Sequence, residues 1–409
     1  MGIVVLLFSG YLFNKRVRNE DNRNRLMIWG AVLLYFVFSL FLNWYLREVY
    51  GWEHGVPGSD LSRYFRAAEA LKNGTSITNL VVIDADYEVS FTHAGYLAYI
   101  IFIAVTAMSP VIINMEVSLQ VLYCVQAFVA VAACINIADF FAPPIFYEEH
   151  IDSRLRNRVL WAMLLCTSVM QMHALLMRDI WILFFISCLL IECKKEDSSL
   201  FRCVIYIVAS TAARYYTLVI TLPILLGYKF HRKKAASIAS LVVFAAFFVG
   251  QGYIDSFAKL VGIRWSYHYQ FDLYSLISYI MFPSPISQAY NVQHMNTSIH
   301  AIFGGNTEWI YYMLSCWNVF VFPISIYGIY RSVRDGETED AVLWSMIIVN
   351  IAMLMCLFYN AKSSPRHKLL IVISLAYFFK KGIEDMRPVL RVIYIFVVLL
   401  GLIGIFASA

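Results

Sequence analysis

Asp60 stands in the polar stretch Gly58-Ser59-Asp60-Leu61-Ser62-Arg63-Tyr64-Phe65-Arg66, between two long apolar segments. A carboxylate there could take a proton from an acceptor hydroxyl or ligate a metal. It could equally cap the short helix that follows. The two roles are compatible, because the field at a helix N-terminus favours an ionised acid. Glu53, His54 and His93 are its candidate neighbours. Three further places set charge within or beside apolar runs: Arg178-Asp179, Arg214 and Arg366-His367-Lys368. At the centre of a membrane span each such residue costs roughly 2.5–3.5 kcal/mol, so it asks for a reason. The planar fork of arginine suits phosphate. Plainer explanations stand beside that one. Arg178 and Asp179 could pair with each other, or Asp179 could cap the next helix. Arg214 could snorkel to the interface, and residues 366–368 could be an ordinary topology signal.

An acid and arginines on one face of a membrane would suit transfer from a lipid-carried phosphate. The acid activates the acceptor, and the arginines stabilise charge on the departing phosphate. The sequence holds no glycine-rich nucleotide loop, which fits a lipid-linked donor better than a nucleotide sugar.

Positioning such residues falls to a chain that belongs in a bilayer. Hydrophobic residues make up 60% of the 409 and charged ones 14%, with a mean hydropathy of +0.66. A soluble protein would carry about a quarter charged residues. Several runs approach the ~20 apolar residues that cross a hydrocarbon core, and the short alternating segments of a membrane barrel are absent. The expectation is one all-α polytopic domain over 1–409, with about 11 transmembrane helices. The net charge of +5 is spread over short clusters between apolar runs, as topology signals are, and does not point to nucleic acid. The eight cysteines show no CxxC pair, and most sit in apolar runs as small hydrophobes.

A first outer loop is expected at 47–93. Within it Leu61, Tyr64, Phe65, Ala68 and Leu71 share one helical face, predicting an interfacial amphipathic helix over 61–72 that stops at Gly74. A second outer loop, 252–306, is dense in aromatics, including Trp265, Tyr267, Tyr269 and Tyr274. The run 203–227 reads as two short helices meeting at Arg214. Basic clusters at 14–25, 154–158, 194–202 and 229–234 all ask to face the cytoplasm. They cannot all do so if every run crosses, so one of 94–114, 117–142 or 159–177 should be broken or re-entrant.

In order along the chain, these pieces resemble the GT-C integral-membrane glycosyltransferases, the class of protein O-mannosyltransferases and aminoarabinose transferases. Asp60 with Arg63-Tyr64, Ala67-Ala68, Leu71 and Gly74 is similar to that family's first outer-loop pattern. Phe91-Thr92-His93-Ala94-Gly95-Tyr96 resembles its entry to the next span, although it lacks that motif's prolines. Arg178-Asp179, Thr211-Ala-Ala-Arg214-Tyr215 and Arg366-His367-Lys368 resemble later family features. The resemblance implies a sugar transfer assisted by Asp60, with phosphate bound by Arg63, His93, Arg178, Asp179, Arg214, Arg366 and His367. The partners it implies are a polyprenyl-linked sugar donor, membrane lipids, and a glycan, lipid or protein acceptor. It places the enzyme in a bacterial cytoplasmic membrane with its site facing outward. No cofactor is indicated, and a divalent metal stays open. The same features fit a repeat-unit polymerase of the Wzy type or a ligase, and a lipid-linked sugar flippase is a third reading.

Overall fold

The computed structural model describes residues 2–50, 60–76, 80–84, 87–90, 94–107, 115–142, 153–174, 176, 178–250, 253, 308–359, 369–384 and 386–407. Almost all of the described chain is helical. In order the helices are α1 (Gly2–Val17), α2 (Asn22–Tyr50), α3 (Asp60–Lys72), α4 (Ala94–Ala107), α5 (Met115–Phe141), α6 (Ser153–Leu164), α7 (Thr167–Ala174), α8 (Asp179–Lys194), α9 (Leu200–Ala213), α10 (Leu218–Ile224), α11 (Lys233–Gly250), α12 (Glu308–Arg334), α13 (Thr338–Tyr359), α14 (Val372–Glu384) and α15 (Pro388–Ala407). One antiparallel hairpin interrupts them, β1 (Val81–Asp84) with β2 (Tyr87–Ser90), in the register Val81↔Ser90 to Asp84↔Tyr87. The β-branched run Val81-Val82-Ile83 suits a strand; the expectation of a purely α chain had left it in irregular loop. The predicted outer loop 252–306 lies outside the described residues except for Tyr253.

Among the described residues, four helices are long and apolar enough to cross a membrane: stretches Asn22–Tyr45, Gln120–Phe141, Lys233–Gly250 and Thr338–Met355. Large apolar side chains stay exposed around the periphery, among them Phe8, Leu33, Phe201, Ile238, Val242 and Phe396. Such a belt needs lipid against it. Tight helix contacts are made by small residues, as is usual in membranes. At Gly328 in α12 and Gly382 in α14 an added Cβ would strike the backbone carbonyls of Phe378 and Ile324 respectively.

The basic clusters do meet at one end of the bundle. Arg16 reaches Asp139 at the end of α5, and Arg156 at the start of α6 reaches both Asp139 and Glu20. Lys194 donates to the Phe140 carbonyl at 2.8 Å, and Lys229 to that of Ser198 at 2.6 Å. Lys233 pairs with Asp340 at 2.7 Å, and Lys381 pairs with Glu337. The conflict over crossings is relieved where run 159–177 is broken into α6 and α7.

A helix can break within a bilayer only if the carbonyls it frees find donors. At the α6–α7 break, Tyr35 donates to the Leu164 carbonyl at 3.0 Å and Trp317 to that of Ala162 at 2.8 Å. Beyond α7, Asn43 donates to the Ala174 carbonyl at 3.3 Å and Tyr99 to that of Leu176.

Candidate functional site

Arg214 ends α9, where its extended backbone (φ −153°, ψ 113°) breaks the helix. Its carbonyl accepts from the Thr217 backbone N–H at 3.0 Å and the Thr217 hydroxyl at 2.9 Å. The break therefore satisfies itself and holds the guanidinium in place. That guanidinium lies 3.7 Å from the Asp179 carboxylate, with side-chain exposures of 10% and 6%. It also sits over the Tyr216 ring, 6.0 Å from the centroid, a cation–π arrangement. At this burial snorkelling is ruled out, and the acid that Arg214 lacks nearby in sequence comes from the preceding helix. The 3.7 Å separation is an ion pair but longer than a hydrogen bond.

Asp179 is the first residue of α8 rather than its cap. The cap position belongs to Arg178, which makes no side-chain capping bond. A first-turn carboxylate is still favoured by the helix dipole. From Asp179 to Lys194 at the basic end, α8 rises about 22 Å. The pair thus sits well away from the basic end, inside an apolar bundle where isolated charge is expensive.

Around it lies a polar shell that apolar averaging over the runs conceals. The Tyr99 hydroxyl donates to the Leu176 carbonyl and lies 3.0 Å from Gln126 Oε1. Leu176 takes a left-handed backbone (φ 48°), two residues before Arg178. Buried His173 donates from Nε2 to the Tyr123 carbonyl and meets the Ser39 hydroxyl at Nδ1, both at 2.9 Å. None of these was singled out by sequence reasoning. The signal was present, since Gln126 and His173 are polar residues inside apolar runs.

α3 closes this region. Tyr64, Ala67 and Ala68 are buried with Leu80, Tyr99, Ile100, Tyr123 and Leu176, and the Tyr64 ring meets Tyr99 edge-on at 5.0 Å. The helix stops as its sequence predicts. Gly74 adopts φ +90°, Thr75 N–H bonds the Ala70 carbonyl at 3.0 Å and Gly74 N–H that of Leu71 at 3.1 Å, the Schellman pattern. On its apolar face Tyr64 and Ala68 are buried against protein, and Leu71 is partly so. Asp60 is the first residue of α3, and Arg63, one turn on, is half-buried. Tyr64 and Tyr99 thus link α3 to the turn that precedes Arg178. His93, Arg366 and His367 lie outside the described residues.

Among the described residues, no group of three or more His, Cys, Asp or Glu side chains gathers to hold a metal ion. No protein-family model, curated protein or solved structure matches the chain. What the site can do follows from its chemistry: a buried guanidinium beside a carboxylate and over an aromatic ring is suited to an anion.

Proposed function

We propose that the protein is a membrane glycosyltransferase of the GT-C type, moving a sugar from a polyprenyl-phosphate-linked donor to a glycan, lipid or protein acceptor. The observation that carries this reading is the buried Asp179–Arg214 pair beneath a helix that opens with Asp60. Asp60 takes the proton of the acceptor hydroxyl as its oxygen attacks the anomeric carbon. The bond from that carbon to the phosphate oxygen breaks, and Arg214 with Arg178 stabilises the charge left on the phosphate. Asp179 aims Arg214. With the basic end in the cytoplasm by the positive-inside rule, the site faces outward, and the helices supply about 11 passes, several of them short.

The test is the lipid-linked glycan profile of cells lacking the protein, then complemented with wild type, Arg214→Lys or Arg214→Ala. The expected result is loss of a single sugar, restored by wild type, partly by Arg214→Lys, and not by Arg214→Ala. Intact repeat units with lost chain length would assign a polymerase instead. An unchanged profile would overturn transfer altogether.

A further inference from the structure

Away from Arg214, a cavity of about 700 Å³ lies among α6, α7, α12, α14 and α15. Its volume is within the ~300–1,000 Å³ of small-molecule sites. Its walls are overwhelmingly apolar, formed by residues such as Trp161, Leu165, Phe320 and Ile324. Trp161, Leu165 and Phe320 are each more than a third exposed, so the slot opens at the bundle's periphery.

Two arginines line it, Arg158 and Arg391. Both belong to the basic end. Arg158 follows Arg156, which is locked to Glu20 and Asp139. Arg391 donates from Nε to the Met386 carbonyl at 3.0 Å, in the turn after α14. Neither forms an ion pair with a carboxylate among the described residues, and no acid lines the slot. From Arg158 the slot follows α6 for about 9 Å to the helix end at Leu164 and continues past the break to Thr167. One leaflet of a ~30 Å core offers about 15 Å.

We infer that this slot holds an anionic phospholipid of the leaflet on the basic side, with one acyl chain along the apolar wall and its phosphate between Arg158 and Arg391. Charge and length choose this occupant together. A zwitterionic lipid leaves two guanidinium groups without a net counter-charge. A polyprenyl chain is much longer than the slot. The site is separate from the Asp179–Arg214 pair, and its occupancy does not depend on what that pair does.

Native mass spectrometry on the delipidated full-length protein tests it, with phosphatidylglycerol and phosphatidylcholine of identical chains as probes. The expected preference for phosphatidylglycerol is roughly 30-fold, from two arginines at the headgroup level. Replacing both, Arg158→Gln with Arg391→Gln, should bring the two lipids to near-equal binding. Ala162→Phe, which fills the slot, should weaken both, and thermal unfolding establishes that each variant is folded. Equal binding of the two lipids by wild type would overturn the inference. So would a preference that survives loss of both arginines, or adducts indifferent to Ala162→Phe. Displacement of phosphatidylglycerol by equimolar polyprenyl phosphate would assign the slot to that lipid and overturn it too.

Discussion

The two ends of the bundle treat charge differently. At the basic end ions are closed into short, many-sided contacts. Arg156 is forked onto Glu20 at 2.6 and 3.0 Å and also donates to Asp139 at 2.7 Å, and Asp139 takes Arg16 as well. In the turn after α12, the hydrogen bond from Arg331 holds the Asp335 carboxyl below its usual range. Toward the far end, Asp179 and Arg214 stand 3.7 Å apart, at least as deeply buried as most of those ions. Forked contacts fix helices α1, α2, α5 and α6 against one another. The Asp179–Arg214 pair joins two helix ends, the start of α8 and the Arg214 break after α9, rather than the flanks of packed helices.

Breaking one ion from each set is the direct way to break that comparison. Arg156→Ala should destabilise by about 3–5 kcal/mol, because it takes the forked guanidinium from Glu20 and leaves Asp139 with Arg16 alone. Thermal or chemical unfolding in detergent reads it. Arg214→Ala should cost clearly less stability while abolishing transfer. Equal losses of stability would make Arg214 a structural ion and remove the contrast. Asp60→Asn sharpens the same distinction on the chemical side. It keeps a polar side chain of the same shape at the first residue of α3 but cannot accept the proton. Transfer should fall by roughly 10²–10⁴-fold with unfolding unchanged. Wild-type transfer from Asp60→Asn protein would leave this residue a helix-start acid and nothing more.

How far the sequence alone reaches is visible in these residues. The span of α3, its stop at Gly74 and the break at Arg214 are written locally, in helical spacing, a glycine and a charge inside an apolar run. The basic clusters likewise announce a shared end. What is not local is not legible. The carboxylate facing Arg214 belongs to the preceding helix, and no spacing rule joins them. The apolar face of α3 shows that something covers it, but not whether that is lipid or the rings of Tyr99 and Tyr123. The breaks on either side of α7 depend on donors from α2, α4 and α12: Tyr35 and Trp317 before it, Asn43 and Tyr99 after it. A hydropathy average over one run cannot see them.

Tyr99→Phe probes that support. It removes the donor to the Leu176 carbonyl just before Arg178 while keeping the ring against Tyr64. A buried acceptor left unmet costs about 1–3 kcal/mol, read by unfolding. Transfer should fall with it if the turn positions Arg178 and Asp179, whereas unchanged transfer would uncouple them.

The smallest effect is expected at Gln171, and it runs in the opposite direction. This side chain is 1% exposed, and neither its amide nitrogen nor its amide oxygen has a hydrogen-bond partner among the described residues. It lies in α7, two residues from His173, whose ring is satisfied on both sides. A buried amide left in that state opposes folding, and replacing it by an apolar group of similar shape removes the penalty. Gln171→Leu should therefore raise stability by about 1 kcal/mol and leave transfer intact. A loss of transfer with stability gained would instead place the Gln171 amide among the groups that meet the substrate, and extend the polar region around Arg214 down into α7.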